Sequence, residues 1–211
     1  MNRFIWDLRY PGSTVFPGIV LRGANPGVGP LAPPGEYQVR LVANGQSLTR
    51  SLLIRRDPRL VNVTDADLEE QFRLAIQIRD KTSQANEAVI RIRAIKDQLE
   101  KRAVPTKAAG IANATEDLKL KLSQIEEEIY QVRNRSPRDT LNYPIKLNNQ
   151  LAVLETWVET GDSRPTDQDY RVFGELSAQL AEILARLNQV LTNDLKKYND
   201  ALIARNLEAI K

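Results

Sequence analysis

The 211-residue chain contains no histidine and no cysteine. Histidine is the usual general base near neutral pH and the commonest metal ligand, so its absence removes the familiar nucleophile triads and zinc sites. Without cysteine there is no disulfide framework and no thiol chemistry, which suits an exported bacterial protein without requiring one. Long apolar runs are missing as well. No stretch approaches the roughly eighteen residues of a membrane span, and the opening MNRFIWDLRYPG has neither a basic start nor an apolar run with a small-residue cleavage site. The expectation is a soluble chain without a signal peptide, and with no metal, no cofactor and no membrane partner. Enzyme chemistry is then confined to paired carboxylates, lysine or a hard-cation oxygen site.

What is present suits one or two ordinary globular domains, since 42% of the residues are hydrophobic and 27% charged. The charge is unevenly spread. Residues 1–60 carry eight arginines against Asp7, Glu36 and Asp57, while residues 61–211 hold the remaining 22 basic and 24 acidic side chains. A basic segment raises the question of nucleic acid. Arg3, Arg9, Arg22, Arg40 and Arg50 are scattered among strands and turns without interleaved aromatics, so solvated strand faces and contacts to a neighbouring domain are the better reading.

Residues 1–60 read as β structure: RFIWDLR, TVFPGIVL, EYQVRLVAN and QSLTRSLLIRR, separated by Pro and Gly clusters. Asn44-Gly45 predicts a type I′ hairpin that sets Tyr37, Val39 and Leu41 opposite Leu48, Leu52 and Ile54. The intervening GANPGVGPLAPPG, residues 23–35, reads as a plain loop, because a phosphate cradle needs a helix start directly after the glycines. Four strands cannot close an immunoglobulin-like sandwich, so either the module is small and leans on the helices or its first half is missing, and an exposed edge or apolar face is expected.

Residues 61–211 read as a long four-helix bundle. Its spine is a helix from Thr64 to about Arg102, with Leu68, Ala75, Thr82 and Val89 at heptad position a and Ile78, Ala85, Ile92 and Leu99 at d. Thr64 with Asp67 caps its start and Val104-Pro105 stops it, leaving a loop to Ala114. Further helices are expected over 115–135, from Pro144 to Gly161, and from the Thr166/Asp169 cap to about Arg205. Short connections suggest an up-down-up-down topology.

Three groups of residues invite a functional reading. Arg79, Asn86 and Arg93 recur at seven-residue intervals on the e flank of the spine, beside small seam residues that let a neighbouring helix approach closely. With Asn148 and Asn149 they predict a hydrogen-bonded polar layer, in which Arg93 and Glu128 form the charged pair. The run Glu126-Glu127-Glu128 otherwise reads as a solvated face, and Asp162, Asp167 and Asp169 as helix-start acids. Trp6 and Trp157, flanked by apolar residues, read as core or interface rather than sugar-stacking platforms. No convergent carboxylate pair is visible, so catalytic residues are none.

NRFIWDLRYPG, PLAPPGEYQVRLVANGQ, RRDPR, QIRDKTSQANEAVIRIR, EEIYQVRNR and LNYPIKLNNQLAVLE together resemble the C-terminal region of bacterial sortilin-like proteins with BNR (Asp-box) repeats, often labelled glycosyl-hydrolase-like. The resemblance implies an immunoglobulin-like module whose earlier strands precede Met1, then a helical bundle, in an exported parent carrying a β-propeller. The Asp-box pattern Ser-x-Asp-x-Gly-x-x-Trp occurs nowhere here. The resulting expectation is a non-catalytic structural or interaction module that docks on that propeller or self-associates as a homo-oligomer. A glycoside-hydrolase-related or carbohydrate-binding domain is the alternative.

Overall fold

The computed structural model of this protein describes residues 3–103 and 109–210. It is mixed α+β, with two small antiparallel two-stranded sheets preceding the helices. The stop expected at Val104-Pro105 lies outside the described residues.

Helix α1, Asp65–Ala103, follows its heptad reading: Ala75, Ile78, Thr82, Ala85, Val89 and Ile92 have no solvent exposure. Its start is capped as expected, the Asp67 carboxylate accepting the Thr64 N–H at 2.8 Å and the Thr64 hydroxyl accepting the Asp67 N–H at 3.2 Å. Helix α2, Ala109–Ile129, begins and ends about six residues earlier than expected, so Gly110 lies in helix rather than loop. A short 3₁₀ turn, Pro137–Leu141, precedes α3, Leu147–Val158. Helix α4, Asp167–Gln189, carries the Thr166/Asp169 capping box and is continued by a π-helical turn, Val190–Leu195, and by α5, Lys196–Ile203.

Cross-helix contacts give the directions. Arg93 meets Glu126 and Glu100 meets Lys119, so α2 runs against α1. Asn86 meets Asn148 and Gln71 reaches the Val158 carbonyl, so α3 also runs against α1, along its earlier half. Tyr170 meets Glu70, and residues 84–91 share a groove with residues 184–191, so α4 runs with α1. The order is therefore up-down-down-up, which corrects the expected up-down-up-down. The prolines at 137 and 144 interrupt the helix without reversing it, leaving α2 and α3 end to end as one broken column. None of the described helices is long and apolar enough to cross a membrane.

Strand β1, Arg9–Pro11, pairs with β2, Val28–Leu31, and β3, Gly35–Ala43, pairs with β4, Gln46–Ile54. Two expectations fail here. The glycine-proline stretch read as plain loop contains β2, made possible by Gly29, where a Cβ would stand 2.1 Å from the Tyr10 carbonyl oxygen. The stretch TVFPGIVL is not a strand. It belongs to an arm, residues 12–24, that leaves β1, crosses the helices and returns to β2, with Phe16 inside the helical core. The hairpin stands as read, with Asn44 and Gly45 both at positive φ and Tyr37 opposite Leu52, Leu41 opposite Leu48.

Candidate interaction surface

Of the residues expected to form a polar layer, Asn86, Asn148 and Asn149 are buried and Arg79, Arg93 and Glu128 only partly so, and they hold the arm as much as one another. The Thr14 N–H donates to Ser83 Oγ at 3.0 Å and its carbonyl accepts from Asn86 Nδ2 at 2.7 Å. The Val20 N–H donates to Tyr130 Oη at 3.1 Å and its carbonyl accepts from Asn134 Nδ2 at 3.4 Å. Asn149 closes both groups of Arg22 at 2.8 Å each. At these three arm residues, helix and loop side chains supply what a neighbouring strand would have supplied, which is why a β-prone sequence here forms no ladder. Asn86 also accepts from Asn148 Nδ2 at 2.9 Å, joining α1 to α3. Arg79 donates to the Pro11 carbonyl oxygen at 3.3 Å and pairs with Asp80.

The charged pair differs from expectation. Arg93 meets Glu126 at 2.7 Å, with Lys96 on the other carboxylate oxygen at 3.0 Å, while Glu128 is bound by Arg186 from α4 at 2.9 Å. That guanidinium holds the Glu128 carboxyl below its ordinary range. Glu126 is 3% exposed rather than part of a solvated face. Two helix positions separate Glu126 from Glu128, which turns them towards different neighbours. Above the pair the Arg93 guanidinium lies 4.7 Å from the Phe16 ring centre and 5.3 Å from that of Tyr130, and the two rings meet edge to face at 5.1 Å.

The β3–β4 ribbon is the opposite case. Tyr37, Val39, Leu41, Leu48 and Leu52 share one face with Arg50, and Gln38, Arg40, Thr49 and Ser51 share the other. Trp6 packs edge-on against Tyr37 at 5.7 Å and covers the base of the apolar face. Its far half is bare: Leu41 is 62% exposed and Leu48 50%. Both strands are edge strands, and Arg50 and Arg55 meet no carboxylate among the described residues. The exposed edge and apolar face expected of the β module lie on this ribbon, and the neighbours decide which half of the face is bare.

A third region was missed. Glu155 on α3 and Glu159, one turn on at its C-cap, line a cleft of about 420 Å³ with Arg9 across it. Glu159 is tied on both oxygens, by the Leu31 N–H at 2.7 Å and by Arg9 at 3.2 Å. Burial, and next the Glu159 carboxylate, push the Glu155 carboxyl up to about 8. Trp157 is not core: it is 67% exposed beside a neighbouring cleft. Among the described residues no group of three or more acidic side chains is placed to hold a metal. No family model, no curated protein and no solved structure matches this chain, and its function has to be read from the geometry described above.

Proposed function

We propose that this chain is a non-catalytic interaction module that docks through the β3–β4 ribbon onto a β-sheet domain of a longer exported protein, a β-propeller being the domain the sortilin-like resemblance implies. The observation that carries this is the bare outer half of the ribbon's apolar face. A two-stranded ribbon is marginal in water by itself, and one with free edges and exposed leucines calls for a further sheet. On this reading the ribbon and the β1–β2 pair are later strands of an immunoglobulin-like module, and the arm fixes them to the helical body. Arg50 and Arg55 ask for acidic groups on the facing surface. Two ribbons packed face to face would bury only Val39, Leu41, Leu48 and their surroundings, less than the roughly 800 Å² per partner of a stable complex. A larger covalently linked domain meets that need through its high effective concentration.

The test is to read the coding sequence upstream of Met1, produce the longer protein, and compare amide exchange of residues 35–54 with that of the isolated chain. Protection confined to the longer protein, and lost in Leu41→Lys, supports docking. Equal exchange in both forms refutes it, and a concentration-dependent dimer of the isolated chain lost in Leu41→Lys would replace the propeller with self-association.

One observation favours the glycosidase alternative: Glu155 and Glu159 face one cleft, one protonated and the other ion-paired near neutral pH, as an acid and a carboxylate partner would be. Against it, both Glu159 oxygens are already occupied. Aryl glycoside turnover that disappears in Glu155→Gln would overturn the non-catalytic reading.

A further inference from the structure

Glu155 is 5% exposed, and its Oε1 has no hydrogen-bond partner. The two guanidinium groups nearby are engaged elsewhere. Arg9 donates to Glu159 at 3.2 Å and to the Gly29 carbonyl oxygen at 2.7 Å, and Arg79 holds Asp80 at 2.7 Å and the Pro11 carbonyl oxygen. Each arginine thus closes its own ion pair, and Glu155 is the carboxyl left without a countercharge. A buried carboxylate in that position is costly unless a cation or a proton joins it. The cleft it lines is walled by α3 and by residues 23–25 at the end of the arm and just after it, and it shares Gly23, Thr156 and Thr160 with a second cleft of about 830 Å³ that Ile145, Val153 and Trp157 line. Glu155 and Trp157, two positions apart on α3, face different clefts, so the buried acid belongs to the smaller one alone.

We propose that this cleft binds a small organic cation, a primary ammonium on an apolar or aromatic body, with its head on the Glu155 carboxylate and its body against Ala152 and Val28. An anion would have to take Arg9 from Glu159 or Arg79 from Asp80. A neutral molecule would leave the carboxyl protonated and gain no ion pair from it. The groups facing Glu155 are Glu159 and Asp80, which disfavour its ionised form, and Arg79 and Arg9, which favour it, and with burial the balance keeps the proton on the empty site near neutral pH. As the ammonium enters, the carboxylic acid releases that proton to solvent and the ion pair replaces the O–H bond, so binding and proton release are linked.

Phenethylamine, charged at neutral pH, and its uncharged counterpart 2-phenylethanol are the probes. Titration calorimetry in two buffers of different ionisation enthalpy gives the affinity and the protons released. The amine is expected to bind with release of about one proton, and the alcohol to bind about tenfold more weakly or not at all. Glu155→Gln, which mimics the protonated side chain and so keeps the fold, should abolish the proton release and weaken the amine by about tenfold. No amine binding, equal binding of amine and alcohol, or unchanged proton release in Glu155→Gln would each overturn the proposal. None of these outcomes touches the ribbon.

Discussion

Asn86 on α1 and Asn148 on α3 meet side chain to side chain at 2.9 Å, both without solvent exposure. Asn86 uses its amide nitrogen on the arm, at the Thr14 carbonyl, and its amide oxygen on α3, so one residue ties three segments. Asn86→Ala strands both partners, at about 1–3 kcal/mol for each buried group left unmade. Asn148→Ala strands one. A double-mutant cycle by urea unfolding should show coupling of about 0.5–3 kcal/mol, and an additive cycle would mean the two amides are independent.

Arg93 and Glu126 should couple in the same way, whereas Arg93 and Glu128 should add within about 0.5 kcal/mol, because each belongs to a different ion pair. Removing Arg93 and Lys96 together leaves Glu126 buried and uncompensated, at about 3–5 kcal/mol. Replacing all three by apolar residues of similar size should recover much of that loss. Thermal melts of the pairwise and triple variants check both statements.

The spine helix was legible because a heptad needs only the residue types along one chain, and all eight of its seam positions are buried. The I′ hairpin was legible for the same reason, since Asn44-Gly45 states its own backbone geometry. What failed required knowledge of a partner. Nothing local tells that the arm's backbone groups are closed by Asn149 and Tyr130 rather than by a strand, or that Gly29 lets β2 approach β1. The direction of α3 failed similarly, because a proline break and a reversing loop share composition. The polar layer was half legible. Asn86 and Arg93 could be placed by heptad register and Asn148 as an amide on the third helix, but choosing Glu126 over Glu128 depends on helix rotation, which register alone leaves open.

Glu155 gives stability a pH dependence whose sign follows from its raised value. In the unfolded chain its carboxyl titrates near the ordinary glutamate value of about 4.3, and in the folded chain at about 8. Between those limits the folded state binds more protons, so this group's contribution to stability is fully present below the lower value. It falls by up to about 1.4 kcal/mol per pH unit as pH rises towards the upper one, and is flat beyond it. Glu155→Gln should remove that slope and be more stable than the parent under alkaline conditions. Urea midpoints of both proteins across the neutral range, at constant ionic strength, decide it. Parallel curves would mean the carboxyl titrates normally in the folded chain.

Phe16 is where the arm enters the core, 5% exposed, edge-on to Tyr130 and beneath Arg93. The rest of the arm adds hydrogen bonds to side chains, each worth about 1 kcal/mol net, and the partly buried Ile19 and Leu21 at the edge of the core, so Phe16, buried inside it, should be the largest single anchor. Phe16→Ala should cost about 3–5 kcal/mol if the site does not collapse. The loss should be local as well as global, because Thr14, Val20 and Arg22 are held only while Phe16 keeps the arm on the helices. Phe16→Leu retains most of the apolar area but not the contacts of the ring with Tyr130 and Arg93, and should fall between the two. Limited proteolysis separates local from global opening: cleavage within residues 12–24 of Phe16→Ala before the helices are cut is the expected order. Cleavage of arm and helices at the same rate would mean that the arm is not a separately released segment but part of the same cooperative unit as α1 and α3.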